Sequence, residues 1–356
     1  MTVKERMLGV IQGRKTDRVP FVQYDNIGGR NEDIWKVIGQ ESMGILVWTE
    51  VHKFVNSACH IKTENIIYEG KPAFQDTLVT PRGELRQIRV CVPGIKGVTH
   101  IQEYFIKRAE DYRVLKSYLK AITVVEDLAP IRQIWSYLGD NGLPHVWIGR
   151  TPFQQLWIQW VSMADLSSHL ADDPDIAGET ADLLGELLLQ AAEVVYNAAE
   201  KVDIPYLVIG DNISAPLIGR ERFDRYCVPY YQRVSNLMDR KDVPLIVHMD
   251  GDLKPLWEPI GTSGVRGLDS FSPPPDNDTS VKDAVTLWPE MRLLLNFPSS
   301  VHLADEKTIY AATMNILEQG GHTGRLQIQV SENPPPGVWK VSYPQIVKAI
   351  ADFGNP

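Results

Sequence analysis

The residues best placed to do chemistry lie in Pro244-Leu245-Ile246-Val247-His248-Met249-Asp250-Gly251-Asp252. A short apolar run there ends abruptly in a histidine, two acids and a glycine. An apolar run bounded by turn chemistry reads as a buried parallel strand. Its polar tip then falls at the strand's C-terminal end, where α/β folds place ligand sites. His248 and Asp250 are two apart, so on extended backbone both side chains point to one side. A histidine and a carboxylate so placed can hold a divalent metal, orient each other for proton transfer, or grip a polar substrate. The plainer alternative is a histidine hydrogen-bonded to a carboxylate that caps the next helix. Asp252 is expected to act as a cap of that kind.

The apolar pattern also shows the elements that must position this pair. Strand-like runs occur at Val19–Tyr24, Gly44–Thr49, His145–Gly149, Tyr206–Ile209, Leu245–His248, Gly267–Phe271, Arg292–Asn296 and Leu326–Val330. Amphipathic helical segments lie between many of them, at Ile176–Lys201, Arg222–Arg240, Ser280–Trp288, Lys307–Gln319 and Tyr343–Phe353. Strands alternating with helices predict a parallel sheet with right-handed crossovers. Eight such strands in 356 residues fit a single (β/α)8 TIM-type barrel better than a doubly wound sheet. Neither GxGxxG nor GxxxxGK[ST] occurs, which removes the usual dinucleotide and P-loop signatures. One stretch, 62–107, breaks the alternation with a period-2 pattern. Turn signals at Glu69-Gly70-Lys71-Pro72 and Thr80-Pro81-Arg82-Gly83-Glu84 mark it as a β-hairpin insertion after the second strand. The whole chain, 1–356, is read as one barrel domain carrying that insertion.

Composition narrows the class. Hydrophobic residues make up 44% and charged residues 23% of the chain, as in ordinary soluble globular proteins. The formal net charge is -9 and no Lys/Arg tract occurs, which disfavours a nucleic-acid or anionic-membrane surface. No apolar run is long enough to span a bilayer. The N-terminus reads as a charged helix start without a signal peptide's apolar core. The three cysteines, Cys59, Cys91 and Cys227, are far apart, which argues against a disulfide framework or a Cys-rich zinc module. A cytoplasmic protein with free thiols is the expectation.

In a barrel, the strand ends converge on one pocket. The candidates there are Tyr24, Asp25, Arg150, Asp211, Asn212, His248, Asp250, Asn296 and Glu332. They are acids, amides and one histidine, without a Ser nucleophile elbow. Tyr24, Asp25, Arg150, Asn212 and Asn296 are the expected substrate contacts. Arg150 suits an anionic group but would equally pair with an acid such as Asp211. Asp211 is a candidate catalytic acid, although Asp-Asn is also ordinary turn chemistry. Glu332 precedes Pro334-Pro335-Pro336-Gly337, a rigid turn that would aim it inward or simply end the strand. Trp147, Trp157 and Trp160 would line an aromatic pocket or pack in the core, and Trp160 is expected in the core.

Three local features resemble the uroporphyrinogen decarboxylase superfamily, which includes cobalamin-dependent methyltransferases. The first is Val3-Lys4-Glu5-Arg6-Met7 followed by Asp17-Arg18-Val19-Pro20, similar to the family's opening helix and DRVP entry to the first strand. The second is Gly210-Asp211-Asn212 with Phe223 and Pro229-Tyr230-Tyr231, similar to its acid-tipped strand and F…PYY helix. The third is His248-Met249-Asp250-Gly251, similar to its HxCG or HxDG element. The resemblance implies a single (β/α)8 barrel. True uroporphyrinogen decarboxylases carry an Arg-rich segment after the first strand, and here only Arg30 remains while Asp25 is acidic.

The resemblance therefore points toward the methyltransferase branch. Those enzymes bind zinc through His-x-Cys and a late Cys. Here His248 is kept, Asp250 stands at the first Cys position, and the late Cys is replaced within Ser331-Glu332-Asn333. The implied ligands are His248, Asp250 and Glu332, with Cys227 as another thiolate but more readily a packed one. A His/carboxylate set is harder than a thiolate set and suits oxygen-bearing substrates over thiols. The expected activity is metal-assisted methyl transfer with His248, Asp250 and Asp211 as catalytic residues. It would use Zn(II), a small-molecule substrate and methylcobalamin presented by a corrinoid partner protein. The alternatives are a metal-free uroporphyrinogen-decarboxylase-like lyase and a non-catalytic small-molecule or corrinoid binding protein. A homodimer is compatible with the helix surfaces.

Overall fold

A computed structural model describes residues 1–93, 98–332 and 334–354. Residues 94–97 of the expected insertion and Asn333 lie outside the described residues. Along the chain the strands are β1 (Phe21–Tyr24), β2 (Gly44–Thr49), β3 (His52–Asn56), β4 (His60–Tyr68), β5 (Lys71–Thr80), β6 (Gly83–Cys91) and β7 (Thr99–Glu103). They continue as β8 (Ile122–Glu126), β9 (Gly142–Trp147), β10 (Leu207–Ile209), β11 (Leu245–His248), β12 (Gly267–Phe271), β13 (Arg292–Asn296) and β14 (Leu326–Val330). The chain forms two compact units. One comprises Met1–His52, Glu126–Gly149 and Ala192–Pro356, and the other Lys53–Val125 and Arg150–Ala191.

The first unit holds a closed barrel in the order β1-β14-β13-β12-β11-β10-β9-β2, all parallel. This is the expected (β/α)8 fold, and each predicted strand coincides with a barrel strand. Three strands differ in their bounds: β1 starts at Phe21, β10 starts at Leu207, and β9 runs Gly142–Trp147, earlier than expected, so that it includes Pro144. At Pro144 the strand pairs with β2 alone, because pairing with β10 begins only at Val146. A residue without an N–H is tolerated there. The helix expected over Arg222–Arg240 is broken into Arg220–Tyr226 and Val228–Met238. Pro229 begins the second piece because it has no N–H to give the preceding turn.

Inward-facing residues alternate along the strands. Val22, Leu46, Leu143, Tyr206, Val208, Ile246 and Leu294 form a buried cluster with Val3, Met7, Val10 and Ile11. The last four lie on one face of the helix Val3–Ile11. A capping box starts this helix: Thr2 accepts from the Glu5 amide, and Glu5 reaches back to the Thr2 amide. Gly44, at the N-terminal end of β2, lies so close that an added Cβ would meet Met7 and Val3 side chains at 2.6 Å. The helix thus closes the N-terminal end of the barrel and leaves the C-terminal end for chemistry.

In the second unit, β4-β5-β6-β7 form an antiparallel sheet, the expected insertion after the second barrel strand, and β3 pairs with β8. The predicted turns are both present. Glu69 and Gly70 take φ of 47° and 76° between β4 and β5, and Thr80 pairs with Gly83 across the next turn. Trp160 packs in this unit against Phe105 and Tyr118, as expected of a core residue.

Candidate metal centre

His248 ends β11 on the same inward face as Ile246. The parallel register sets His248 beside Asp269 of β12. His248 Nδ1 lies 2.9 Å from Asp269 Oδ2. An ionised carboxylate only accepts, so Nδ1 carries a proton toward Asp269 and Nε2 is the ring nitrogen turned toward Asp250. That nitrogen lies 3.6 Å from Asp250 Oδ2. Glu332, just beyond β14, completes the cluster: one ligand atom each from His248, Asp250 and Glu332 all lie within 4.8 Å of one another. Ligand atoms on a tetrahedral zinc with bonds near 2.1 Å stand about 3.4 Å apart. The three donors therefore fit a divalent cation after small side-chain adjustments.

Further side chains hold these donors. Asn212 Nδ2 donates to Asp250 Oδ2 at 3.1 Å, and Asn277 Nδ2 donates to the Asp250 carbonyl at 2.6 Å. Asp252 accepts the Asp278 amide, and Asp278 in turn accepts the amides of Leu253 and Lys254. Asp278, not Asp252, thus supports the turn that follows. Gly251 has a steric reason: a Cβ there would meet Ser214 at 2.5 Å and the Ile213 carbonyl at 2.8 Å. Its amide donates to that same carbonyl at 3.0 Å. The glycine lets the loop after β11 lie against the loop after β10, which is what brings Asn212 to Asp250.

Asp269 is fully buried and gathers donors from across the barrel. Tyr24 donates to Oδ2 at 2.5 Å and Gln329 to Oδ1 at 2.8 Å, while His145 Nε2 lies 3.6 Å from Oδ2. Beside it, Ser270 adopts φ 56°, and the β12–β13 register shifts between Asp269 and Phe271. The bulge turns the Ser270 hydroxyl toward Tyr24 and Ser331. Ser331 is bracketed by Asn296, which accepts from both its amide and its hydroxyl. That bracket sets the backbone directly before Glu332.

Electrostatics follow from this arrangement. Burial alone would lower the His248 pKa, but hydrogen bonds and charge from Asp250 and Asp269 raise it to about 10. Burial opposes ionisation of Asp250, yet His248 and Asn212 hold its pKa below the usual range. Asp269 behaves likewise: burial is outweighed by His145, His248 and Tyr24, and its pKa is strongly lowered. Glu332 is pushed up, first by burial and also by the neighbouring Asp250 and Asp269 charges. Burial lowers His145 to about 4, so it is neutral at pH 7.

The other sequence-predicted residues divide. Tyr24, Asn212 and Asn296 join the network as hydrogen-bonding supports. Asp25 accepts instead from Asn31 and Tyr137, at 2.7 and 3.3 Å. Asp211 is buried and accepts from Tyr231 at 2.6 Å. Arg150 is the first residue of the second unit's later segment, Arg150–Ala191. Trp48, 41% exposed at the end of β2, meets Tyr24, His145 and Trp147 edge-on, at centroid distances of 5.4, 4.3 and 6.3 Å. A pocket of about 450 Å³ is lined by Tyr24, Asp25, Ile27, Val47 and Trp48. Sequence reasoning placed Asp269 among the polar strand ends without giving it a role, and missed His145 and Gln329 as members of the site. A signal existed for the last: Gln327 and Gln329 alternate with apolar residues in β14, polar side chains pointing into a barrel. Asp269 stood at a strand tip and lacked only a partner.

The barrel with its rim of acids and one histidine defines a class. The profile of the uroporphyrinogen decarboxylase (URO-D) family matches residues 162–328. It is 22% identical over 253 residues to "Methylcobamide:CoM methyltransferase MtbA" of Methanosarcina mazei, covering 70% of each chain. It is 21% identical over 269 residues to the protein of the same name from Methanosarcina acetivorans, covering 75% of each. The fold is shared with a solved "methyltransferase from Methanosarcina mazei", with a TM-score of 0.55, 16% identity and 99% of both chains covered.

Proposed function

We propose that the barrel holds a zinc ion through His248, Asp250 and Glu332 and catalyses methyl transfer between a corrinoid carried by a partner protein and a small oxygen-bearing substrate. The observation that carries this reading is the convergence of three ligand atoms within 4.8 Å, with His248 Nε2 turned away from Asp269. Zinc, when bound, supplies the Lewis acidity that makes an acceptor nucleophilic at neutral pH or polarises a methyl donor. The chain's own residues do the rest. Asp269 holds the His248 ring in one tautomer and orientation. Asn212 and Asn277 fix Asp250 from its side chain and its carbonyl. One nitrogen and two carboxylate oxygens make a hard donor set, which favours an oxygen substrate over a thiol. Trp48 and Tyr24 offer an apolar wall for the substrate's body.

The decarboxylase alternative has less support. A porphyrinogen with many carboxylates needs several cations, and Arg30 has its side chain 75% exposed beside Glu32. A non-catalytic binding role would leave the triad without a task. The deciding experiment is metal content by ICP mass spectrometry on protein purified without a metal-affinity tag, for wild type and His248→Ala. About one zinc per chain, lost in the variant, together with demethylation of methylcobalamin by oxygen-bearing acceptors, is the expected result. A metal-free wild type that nevertheless folds would sink the proposal.

A further inference from the structure

We propose that the N-terminal end of the barrel carries a second binding site, for a small phosphate ester, built around Arg292. It lies at the opposite ends of the strands from His248 and does not depend on the metal reading. Three neighbouring strands are entered through an arginine: Arg266 precedes β12, Arg292 begins β13 and Arg325 precedes β14. Backbone pairing sets them side by side. The Arg292 amide donates to the Arg266 carbonyl at 2.9 Å, and the Leu293 amide to the Arg325 carbonyl at 2.8 Å. Adjacent strands stand about 4.8 Å apart, so three positive charges share one rim of a chain whose net charge is -9. Two further bases, Arg14 and Lys15, pass beside Gly324, where a Cβ would meet the Arg14 carbonyl at 3.6 Å and Lys15 Cα at 3.7 Å.

The nearby acids leave Arg292 over. Asp239 accepts from both Nη2 and Nε of Arg266, at 2.6 and 3.2 Å. Glu290 is 87% exposed and approaches Arg325 only to 3.9 Å, a weak surface pair. Among the described residues no carboxylate pairs with Arg292. Its Nε and Nη1 donate to the carbonyls of Ile11 and Glu290, at 2.9 and 3.0 Å, which fixes the guanidinium without neutralising it. Burial, with the charges of Arg266 and Arg325, lowers its pKa, as for a cation held without a counter-ion. Arg266 and Arg292 line a cavity of about 740 Å³, inside the range of about 300–1,000 Å³ for small-molecule sites. Its other walls precede β10 and β11, where Ile204, Pro205, Val243 and Pro244 are apolar and Asp203 and Asp242 are acidic. Lys241, on that side, is paired with Glu200. The cavity thus has cations before β12 and β13 and carboxylates before β10 and β11. A phosphate matches the guanidiniums oxygen by oxygen, and hydroxyl or amino groups suit the carboxylates. A nucleoside monophosphate has both parts, whereas a bare anion uses only one.

Isothermal titration calorimetry tests this with AMP, inorganic phosphate and adenosine as titrants, on wild type, Arg292→Gln, Arg266→Gln and His248→Ala. Wild type is expected to bind AMP about tenfold more tightly than inorganic phosphate, and adenosine not measurably. Each arginine change should weaken AMP about tenfold. Arg292→Gln gives up its bond to the Ile11 carbonyl, so its melting temperature is compared with that of wild type. Arg266→Gln loses only a half-exposed surface pair and keeps the test decisive where Arg292→Gln does not fold. His248→Ala should bind AMP as wild type does, whether or not the chain holds zinc. The proposal is overturned by a wild type that binds neither AMP nor phosphate, by phosphate binding as tightly as AMP, by adenosine binding as tightly as AMP, or by AMP affinity that the arginine changes leave untouched. Loss of AMP binding in His248→Ala would also overturn it, since the phosphate would then sit at the metal centre.

Discussion

Asp269 is the residue on which the centre turns. Its two oxygens serve a tyrosine, a glutamine and a histidine, and a second histidine lies beside it. Replacing one oxygen by an amide group would set a donor against donors. Asp269→Asn is therefore expected to release the His248 ring and weaken zinc binding about 10–100-fold, the range found for such supporting partners. A competition titration with a chromophoric chelator reads this directly, and unchanged affinity would refute the positioning role. His248 itself makes the site sensitive to pH. With its pKa raised to about 10, the metal-free ring is protonated at pH 7, and zinc must displace that proton. Apparent zinc affinity should rise about tenfold per pH unit between pH 7 and 9, with one proton released per metal bound. Calorimetry in buffers of different ionisation enthalpy checks the proton count. The stability sign runs the other way without metal. The ion-paired His248 stabilises the fold fully below its unfolded pKa of 6.5, and this is lost as pH rises through about 10.

Residues reach these positions only because two loops touch. The tip of β11 carries His248 and Asp250, and the loop after β10 carries Asn212. Gly251 is where they meet, against Ile213 and Ser214. Gly251→Ala would force the loops apart, since the contacts at 2.5 and 2.8 Å involve Ser214 Cβ and a backbone carbonyl, not the end of a flexible side chain. The variant is expected to fold, because the barrel strands are untouched, but to bind zinc about tenfold more weakly. Wild-type affinity in that variant would show that the loop contact does not position Asp250. The bulge at Ser270 acts at the same level. A non-glycine residue at φ 56° is strained, and the hydroxyl it redirects ties β12 to the end of β14.

For the whole molecule, the centre joins parts of the chain far apart in sequence: Tyr24 and Asp269 are separated by 245 positions. A metal gripped from β11 and from beyond β14 binds the folded barrel and not the open chain. Saturating zinc should therefore raise the melting temperature, with about 2.7 kcal/mol expected at a concentration 100 times the dissociation constant. Differential scanning fluorimetry of wild type against His248→Ala tests this. An equal shift in both proteins would mean that zinc acts elsewhere. No helix among the described residues is long and apolar enough to cross a membrane.

The barrel was legible in the sequence because each strand is a local signal: a short apolar run with a polar tip, repeated eight times. The HxDG tip of β11 was legible for the same reason, since His248 and Asp250 share a face by alternation alone. Glu332 was reached through family resemblance, not through its own surroundings. Asp269 was read only as one of the polar strand ends, and His145 was not singled out, because nothing local gives either a partner. A buried carboxylate in a strand looks like any strand-end acid until the register sets it beside a histidine. The hydrogen bonds that tie Tyr24 to Asp269 and Ser331 to Asn296 were likewise decided in three dimensions. Alternation tells which face a side chain takes, but parallel pairing and barrel closure determine which neighbour it finds there. Those depend on contacts between residues hundreds of positions apart, which only the folded chain brings together.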